Sequence, residues 1–250
     1  MITKLTPVER VNGLFIKRDD LFEVAGVSGG KARTAWHLAR GALGLVTAGS
    51  RHSPQVAIVA SIAAELGLPC HVHVPAGKRT PMIEKALSKG ANVVQHKAGY
   101  NNVIIARARE DSRKNNYTYI PFGMECEEAI HQTAEQVQNV PLNEVRRIVV
   151  PVGSGMTLAG ILTGLWEHGF TKPIIGIVIG ANPTKRLDRY APALWQQMVT
   201  LVQSPYKYDK YIYKTIGDIQ LDEVYEGKCV GYLQQGDLLW IVGNRHSPKE

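Results

Sequence analysis

Cysteine is scarce: Cys70, Cys126 and Cys229 stand far apart and form no Cys-x-x-Cys pair. That spacing excludes a zinc knuckle and a disulfide framework and fits a reducing compartment. Long apolar runs are missing too, none approaching the roughly 18–20 residues that span a bilayer. The opening "MITKLTPVERVNG" has no apolar signal core, so a cytoplasmic protein without membrane contact is expected. There is no repeat of solenoid period, no low-complexity tract and no obvious linker. Acidic residues are outnumbered, 22 against 29 lysines and arginines, for a formal charge of +7. A basic field concentrates phosphates and nucleic acid but names no partner, and most of the basic residues are interspersed with acids.

What is present is a regular alternation. Short apolar runs, "GLFIKRD", "ALGLVTAG", "CHVHVP", "NVVQH", "YTYIPFG", "RRIVVPVG" and "IIGIVIG", read as strands. Between them, "KARTAWHLARG", "SPQVAIVASIAAELG", "TPMIEKALSKG", "NNVIIARAREDSRKN", "CEEAIHQTAEQVQN" and "TLAGILTGLWEHG" have helical spacing. Repeated strand-then-helix predicts an α/β fold on parallel sheets. With 250 residues, 44% of them hydrophobic, the chain can bury one large core or two modest ones.

Two glycine-rich places carry chemistry. "RRIVVPVGSGMTLAGILTGL" is a strand, a turn of Gly153, Ser154, Gly155, Met156 and Thr157, then a helix. Glycines let backbone N–H groups approach an anion, the helix N-terminus adds positive potential, and Ser154 and Thr157 bring hydroxyls. The turn fits neither a Walker loop nor a dinucleotide fingerprint; it reads as a phosphate cradle or as a plain strand-to-helix turn. The second place, "VSGGKARTAWHLA", sets Lys31 after two glycines at a helix mouth. A phosphate cradle together with an accessible amine are the two anchors that pyridoxal 5'-phosphate requires. A third stretch, "SPYKYDKYIYK" (204–214), interleaves tyrosines and lysines. It reads as a surface that stacks on bases and touches phosphates, or as an amphipathic edge strand or loop.

The order of motifs resembles the fold-type II pyridoxal-phosphate enzymes, and within them ACC deaminase and D-cysteine desulfhydrase. "TPVERV" with "LFIKRDDL" resembles the opening TP and KREDL segments; "SGGKARTAWHLA" resembles the GGNKxRKLE element. "TAGSRHSPQVAIVASIAAELG" resembles the SNQTRQ loop and its helix, "YIPFG" the IPxGG stretch, "VPVGSGMTLAGI" the TGSGGTLAG loop, and "LDEVYEGKCVGYL" the DPVYEGK segment. The resemblance implies two parallel-sheet α/β lobes with the cofactor in the cleft between them. It implies a larger phosphate-binding lobe of residues 1–40 and 126–250 and a smaller inserted lobe of 41–125. It implies that Lys31 binds the cofactor aldehyde, that Gly153–Thr157 hold the phosphate, that Glu226 sits by the pyridine nitrogen and that Tyr225 faces the substrate. No metal is implied, and a homodimer is expected.

This chain departs from that pattern at several positions. Ser50, Arg51 and His52 stand where relatives have Ser-Asn-Gln to grip the substrate, so the grip is expected to differ: Arg51 adds a fixed cation and His52 an anion or proton site. Gly30 replaces the asparagine before the lysine, and Met156 replaces a loop glycine. The chain is also shorter than typical relatives between "IIGIVIG" and "VYEGK" and after "WIVGNRHSPKE". The expected function is Cα chemistry of deaminase or lyase type on a small amino acid. An alternative is a decarboxylase or lyase acting on an amino acid attached to DNA, by analogy with pathways that modify a thymine methyl group. Another is a non-catalytic relative that binds phosphate or nucleic acid, against which the joint presence of Lys31, Tyr225 and Glu226 argues.

Overall fold

Every apolar run named above forms a strand, and every segment of helical spacing forms a helix, in a computed structural model that describes residues 4–97 and 100–243. By packing, the chain divides into two units, residues 23–125 and residues 1–22 with 126–250. The first boundary thus falls before Glu23 rather than after residue 40. Helix α1 (Gly30–Leu38) packs on α2 (Pro54–Glu65) and on the hairpin of Glu23–Val24 with Val27–Ser28, which draws Lys31 into the smaller unit.

The smaller unit is built on a four-stranded, wholly parallel sheet in the order Asn92–His96, Cys70–Pro75, Leu45–Ala48, Thr118–Ile120. Strand Leu45–Ala48 is buried along its whole length, as expected of a parallel strand covered on both faces. Helix α2 begins at Ser53, whose hydroxyl accepts from the Gln55 N–H at 3.3 Å, with Pro54 as its first residue, a helix start legible in "SP". Helices α3 (Pro81–Ser88) and α4 (Asn101–Asn115) complete the layers. A polar cluster ties α4 to the sheet. Asp111 Oδ2 lies 2.7 Å from His71 Nδ1 and 2.8 Å from His73 Nε2, while His73 Nδ1 lies 2.9 Å from His96 Nε2. Burial alone would raise the Asp111 carboxyl, but the bonds to His73 and His71 outweigh it and hold the group below its ordinary 3.8.

The larger unit has a six-stranded sheet in the order Val8–Val11, Leu14–Arg18, Leu238–Ile241, Ile148–Val152, Ile174–Val178, Val199–Gln203. Only the first pair is antiparallel. The last strand among the described residues therefore lies inside the sheet, pairing Leu238 with both Phe15 and Ile148. Helices α5 (Glu127–Glu135), α6 (Met156–Glu167) and α7 (Thr184–Tyr190) belong to this unit. Along α6, Leu158, Ile161, Leu162 and Leu165 are buried in the core beneath the sheet, each contributing about 1.5–3 kcal/mol relative to exposure. Helix α6 lies close against α5 because Gly160 and Gly164 leave room: a Cβ on Gly160 would stand 2.5 Å from Thr133 Cβ and 2.9 Å from the Ile130 carbonyl oxygen. Among the described residues no helix is long and apolar enough to cross a membrane.

Candidate active site

In the larger unit the buried strand Ile148–Val152 runs into the turn at Gly153 and thence into α6. Gly155, at φ 93° and ψ −8°, is the N-cap of that helix, in a left-handed conformation that costs a side-chain-bearing residue about 1–2 kcal/mol. The N-cap Gly155 brings no side chain to this helix start, and the positive end of the α6 dipole lies at the turn, where it favours an anion. Met156 stands where a glycine was expected. It needs no positive φ, lies within α6 and buries its side chain in the core, so the backbone donors of the turn are kept.

Tyr225 is brought over this turn. A Cβ on Gly153 would lie 3.3 Å from both Tyr225 Cε1 and its phenol oxygen, so glycine leaves the ring its place. Tyr225 precedes a single 3-10 turn, Glu226–Lys228, and is held from below by Asp222, whose Oδ1 accepts from the N–H groups of Val224 at 2.9 Å and Tyr225 at 3.0 Å. Asp222 did not stand out in the sequence, although an aspartate two or three residues ahead of a turn is the signal for such a bond. Glu226 is fully buried. Its Oε1 accepts from the Val242 N–H at 2.7 Å, and its Oε2 has no hydrogen-bond partner among the described residues. Burial pushes this carboxyl well above its ordinary 4.5, and the charge of Asp222 adds to the shift, while the bond from Val242 opposes it.

The smaller unit carries the remaining candidates. Lys31 is the second residue of α1, after Gly29 at φ 95°. Ser50, Arg51 and His52 follow strand Leu45–Ala48, at the carboxyl end of a parallel strand, where open α/β sheets place ligands. The Ser50 hydroxyl is buried without a hydrogen-bond partner among the described residues. Arg51 turns toward the neighbouring loop: its Nη1 donates to the Lys78 carbonyl at 2.7 Å, its guanidinium fills the space over Gly77, and its own carbonyl accepts from the Thr80 hydroxyl. Part of Arg51 thus serves as a strut between residues 50–53 and 77–80. Among the described residues no group of three or more histidine, cysteine, aspartate or glutamate side chains is arranged to hold a metal ion.

The sequence profile of the pyridoxal-phosphate dependent enzymes matches residues 2–225, and the chain belongs to that family. Its cofactor is therefore pyridoxal 5'-phosphate and its fold is that of the fold-type II enzymes. A crystal structure described as an ACC deaminase homologue superposes with a TM-score of 0.80 at 23% identity, over 98% of this chain and 91% of that one. Threonine deaminase isoform 2 from Solanum lycopersicum gives 0.65 at 17% identity, over 96% and 84%. Serine racemase from Dictyostelium discoideum gives 0.67 at 16% identity, over 98% and 93%. No curated protein matches the chain by sequence.

The residues present fit the cofactor. The glycine-started N-terminus of α6 suits a phosphate, and the Oε2 of Glu226, without a hydrogen-bond partner among the described residues, suits a protonated ring nitrogen.

Proposed function

We propose that the protein carries out Cα chemistry of deaminase or lyase type on a small amino acid. The observation that carries this reading is the pair Tyr225–Glu226: one phenol set against the phosphate-type turn and one buried carboxylate with an oxygen free to accept. In this reading Lys31 is the amine that holds the cofactor aldehyde, and Gly153, Ser154, Gly155, Met156 and Thr157 hold the phosphate. When bound, the cofactor supplies an electron-withdrawing ring that stabilises negative charge on the substrate Cα. Glu226 accepts the ring N–H and keeps the ring charged. Tyr225 gives or takes a proton on the substrate side. Ser50 and His52 orient the substrate, and Arg51 fixes the loop that carries them as well as adding positive charge.

The test is absorbance after addition of pyridoxal 5'-phosphate, followed by mass spectrometry of products from a panel of amino acids. Wild type is expected to show the band of covalently held cofactor and to release ammonia. Lys31→Ala is expected to show neither. A wild-type protein with no such band would overturn the reading.

A second reading is favoured by one observation, the exposed tyrosines and lysines of residues 206–214. In it the amino acid is carried by DNA and loses CO2, and the product mass separates that outcome from loss of ammonia. A homodimer, expected from the family resemblance, belongs to either reading.

A further inference from the structure

Residues 205–214 form a strap laid along the Tyr225–Lys228 turn, and their backbone is held at several points. The buried ammonium of Lys228 donates to the carbonyls of Lys207 at 2.8 Å and Tyr208 at 3.2 Å. The Ile212 N–H donates to the Glu223 carbonyl at 2.8 Å, and the Lys214 carbonyl accepts from the Leu221 N–H at 3.1 Å. The Ile212 carbonyl comes so close to Gly227 that a Cβ there would collide with it. Tyr208 turns inward and meets the Tyr225 ring edge-on, centroids 6.1 Å apart.

With the backbone fixed, the other side chains face outward. Tyr206 and Tyr211 are each 42% exposed and Tyr213 is 70% exposed. Lys207, Lys210 and Lys214 are exposed beside them, and none makes an ion pair among the described residues. The rings of Tyr211 and Tyr213 lie 6.4 Å apart at 35°. Next to them Pro205, Tyr206, Lys207, Asp209 and Lys210 line a shallow, open hollow.

We propose that this strap binds a single-stranded nucleic acid. Exposed aromatic faces on a pinned backbone stack with unpaired bases at little ordering cost, and the interleaved ammonium groups meet the phosphates between them. Asp209 is matched to base N–H donors rather than to phosphate. A duplex hides the base faces that the tyrosines need. An acidic peptide would satisfy the lysines and leave the rings idle. The proposal rests on the reading above in one respect only, that Tyr225 faces the substrate, for Tyr208 and Lys228 place the strand beside that residue.

The test is fluorescence anisotropy of labelled oligothymidylate, oligouridylate, a duplex of equal length and a polyglutamate peptide, at several salt concentrations. Single strands are expected to bind in preference to duplex and peptide, and the two sugar types tell DNA from RNA. Replacing Lys207, Lys210 and Lys214 by glutamine is expected to flatten the log–log salt slope by about 2, from about 0.7 per phosphate contact. Tyr213→Leu is expected to weaken binding about tenfold while Tyr213→Phe keeps it, because stacking needs the ring and not the hydroxyl. These side chains are exposed, so thermal melts should coincide with wild type. No salt-dependent strand binding, equal binding of duplex or peptide, or equal loss in the leucine and phenylalanine variants overturns the proposal. Cofactor absorbance is read in the same samples. A loaded protein that ignores single strands overturns the strap and leaves the proposed chemistry standing; a protein that binds strands but takes up no cofactor does the reverse. Strand binding is expected to survive Lys31→Ala.

Discussion

Glu226 accepts from the Val242 N–H at 2.7 Å with one carboxylate oxygen and keeps the other, fully buried, without a hydrogen bond among the described residues. Val242, directly after strand Leu238–Ile241, thereby fixes the orientation of a group on a turn that begins at Tyr225.

The raised Glu226 carboxyl fixes the sign of a pH effect. In the folded, cofactor-free protein its value lies above the unfolded 4.5, so the folded state binds more protons in between. The associated stability is present below 4.5 and is lost as pH rises through the folded value. Glu226→Gln is expected to flatten that decline. Urea midpoints of wild type and variant across a pH series measure it, and parallel curves would remove the basis for the effect.

The Asp111 carboxyl runs the other way. Held below 3.8 by His73 and His71, it contributes stability that is present above that value and lost as pH falls through the folded one. Asp111→Asn is expected to cost about 1.5–3 kcal/mol near neutrality, the range for hydrogen bonds to a charged group. The variant should also show a shallower acid limb in chemical denaturation.

Gly155→Ala puts a Cβ on a residue at φ 93°, 3.2 Å from Pro183 Cβ. The expected loss is about 1–2 kcal/mol from the left-handed conformation alone. Phosphate-dependent stabilisation, read as the shift of melting temperature on adding pyridoxal 5'-phosphate, should shrink as well. A cofactor-induced shift as large as that of wild type would separate the turn from phosphate binding.

At the α5–α6 contact, Gly160→Val is expected to force the helices apart at a cost of about 1–3 kcal/mol, because Thr133 and the Ile130 carbonyl occupy the space beside Gly160. Gly169→Ala, with open space beside it but φ 70°, is the control for backbone strain without overpacking. Denaturation midpoints of the two variants separate the two causes.

Much of the architecture was legible because strands such as "CHVHVP" and "RRIVVPVG" and helices such as "SPQVAIVASIAAE" have periods and starts that local chemistry dictates. Strand Val199–Gln203 was not legible: "VTLVQ" is short, half-buried and indistinguishable from loop by pattern. Nor was the place of Leu238–Ile241 inside the sheet, since pairing partners more than 200 residues apart leave no periodic trace. The same holds for polar groups that meet across the fold. His71, His73, His96 and Asp111 come from two strands and a helix, and Lys17 is buried with its ammonium on the Thr6 carbonyl and Asn139 Oδ1, each at 2.7 Å. Arg51 was legible as a cation, but its bond to the Lys78 carbonyl depends on a loop whose path only the folded chain defines.

The placement of Leu238–Ile241 between the first strands and the rest of the larger sheet bears on how the chain is made. On the ribosome, residues 23–125 can complete their own sheet early, while the hairpin of Val8–Val11 with Leu14–Arg18 has no parallel neighbour until synthesis reaches Leu238. The edge left open in the meantime exposes Phe15 and Ile16 to any other nascent strand. Newly made copies therefore depend on a late zipping event, and yield should respond to translation speed through codons 126–241 more than through the first hundred.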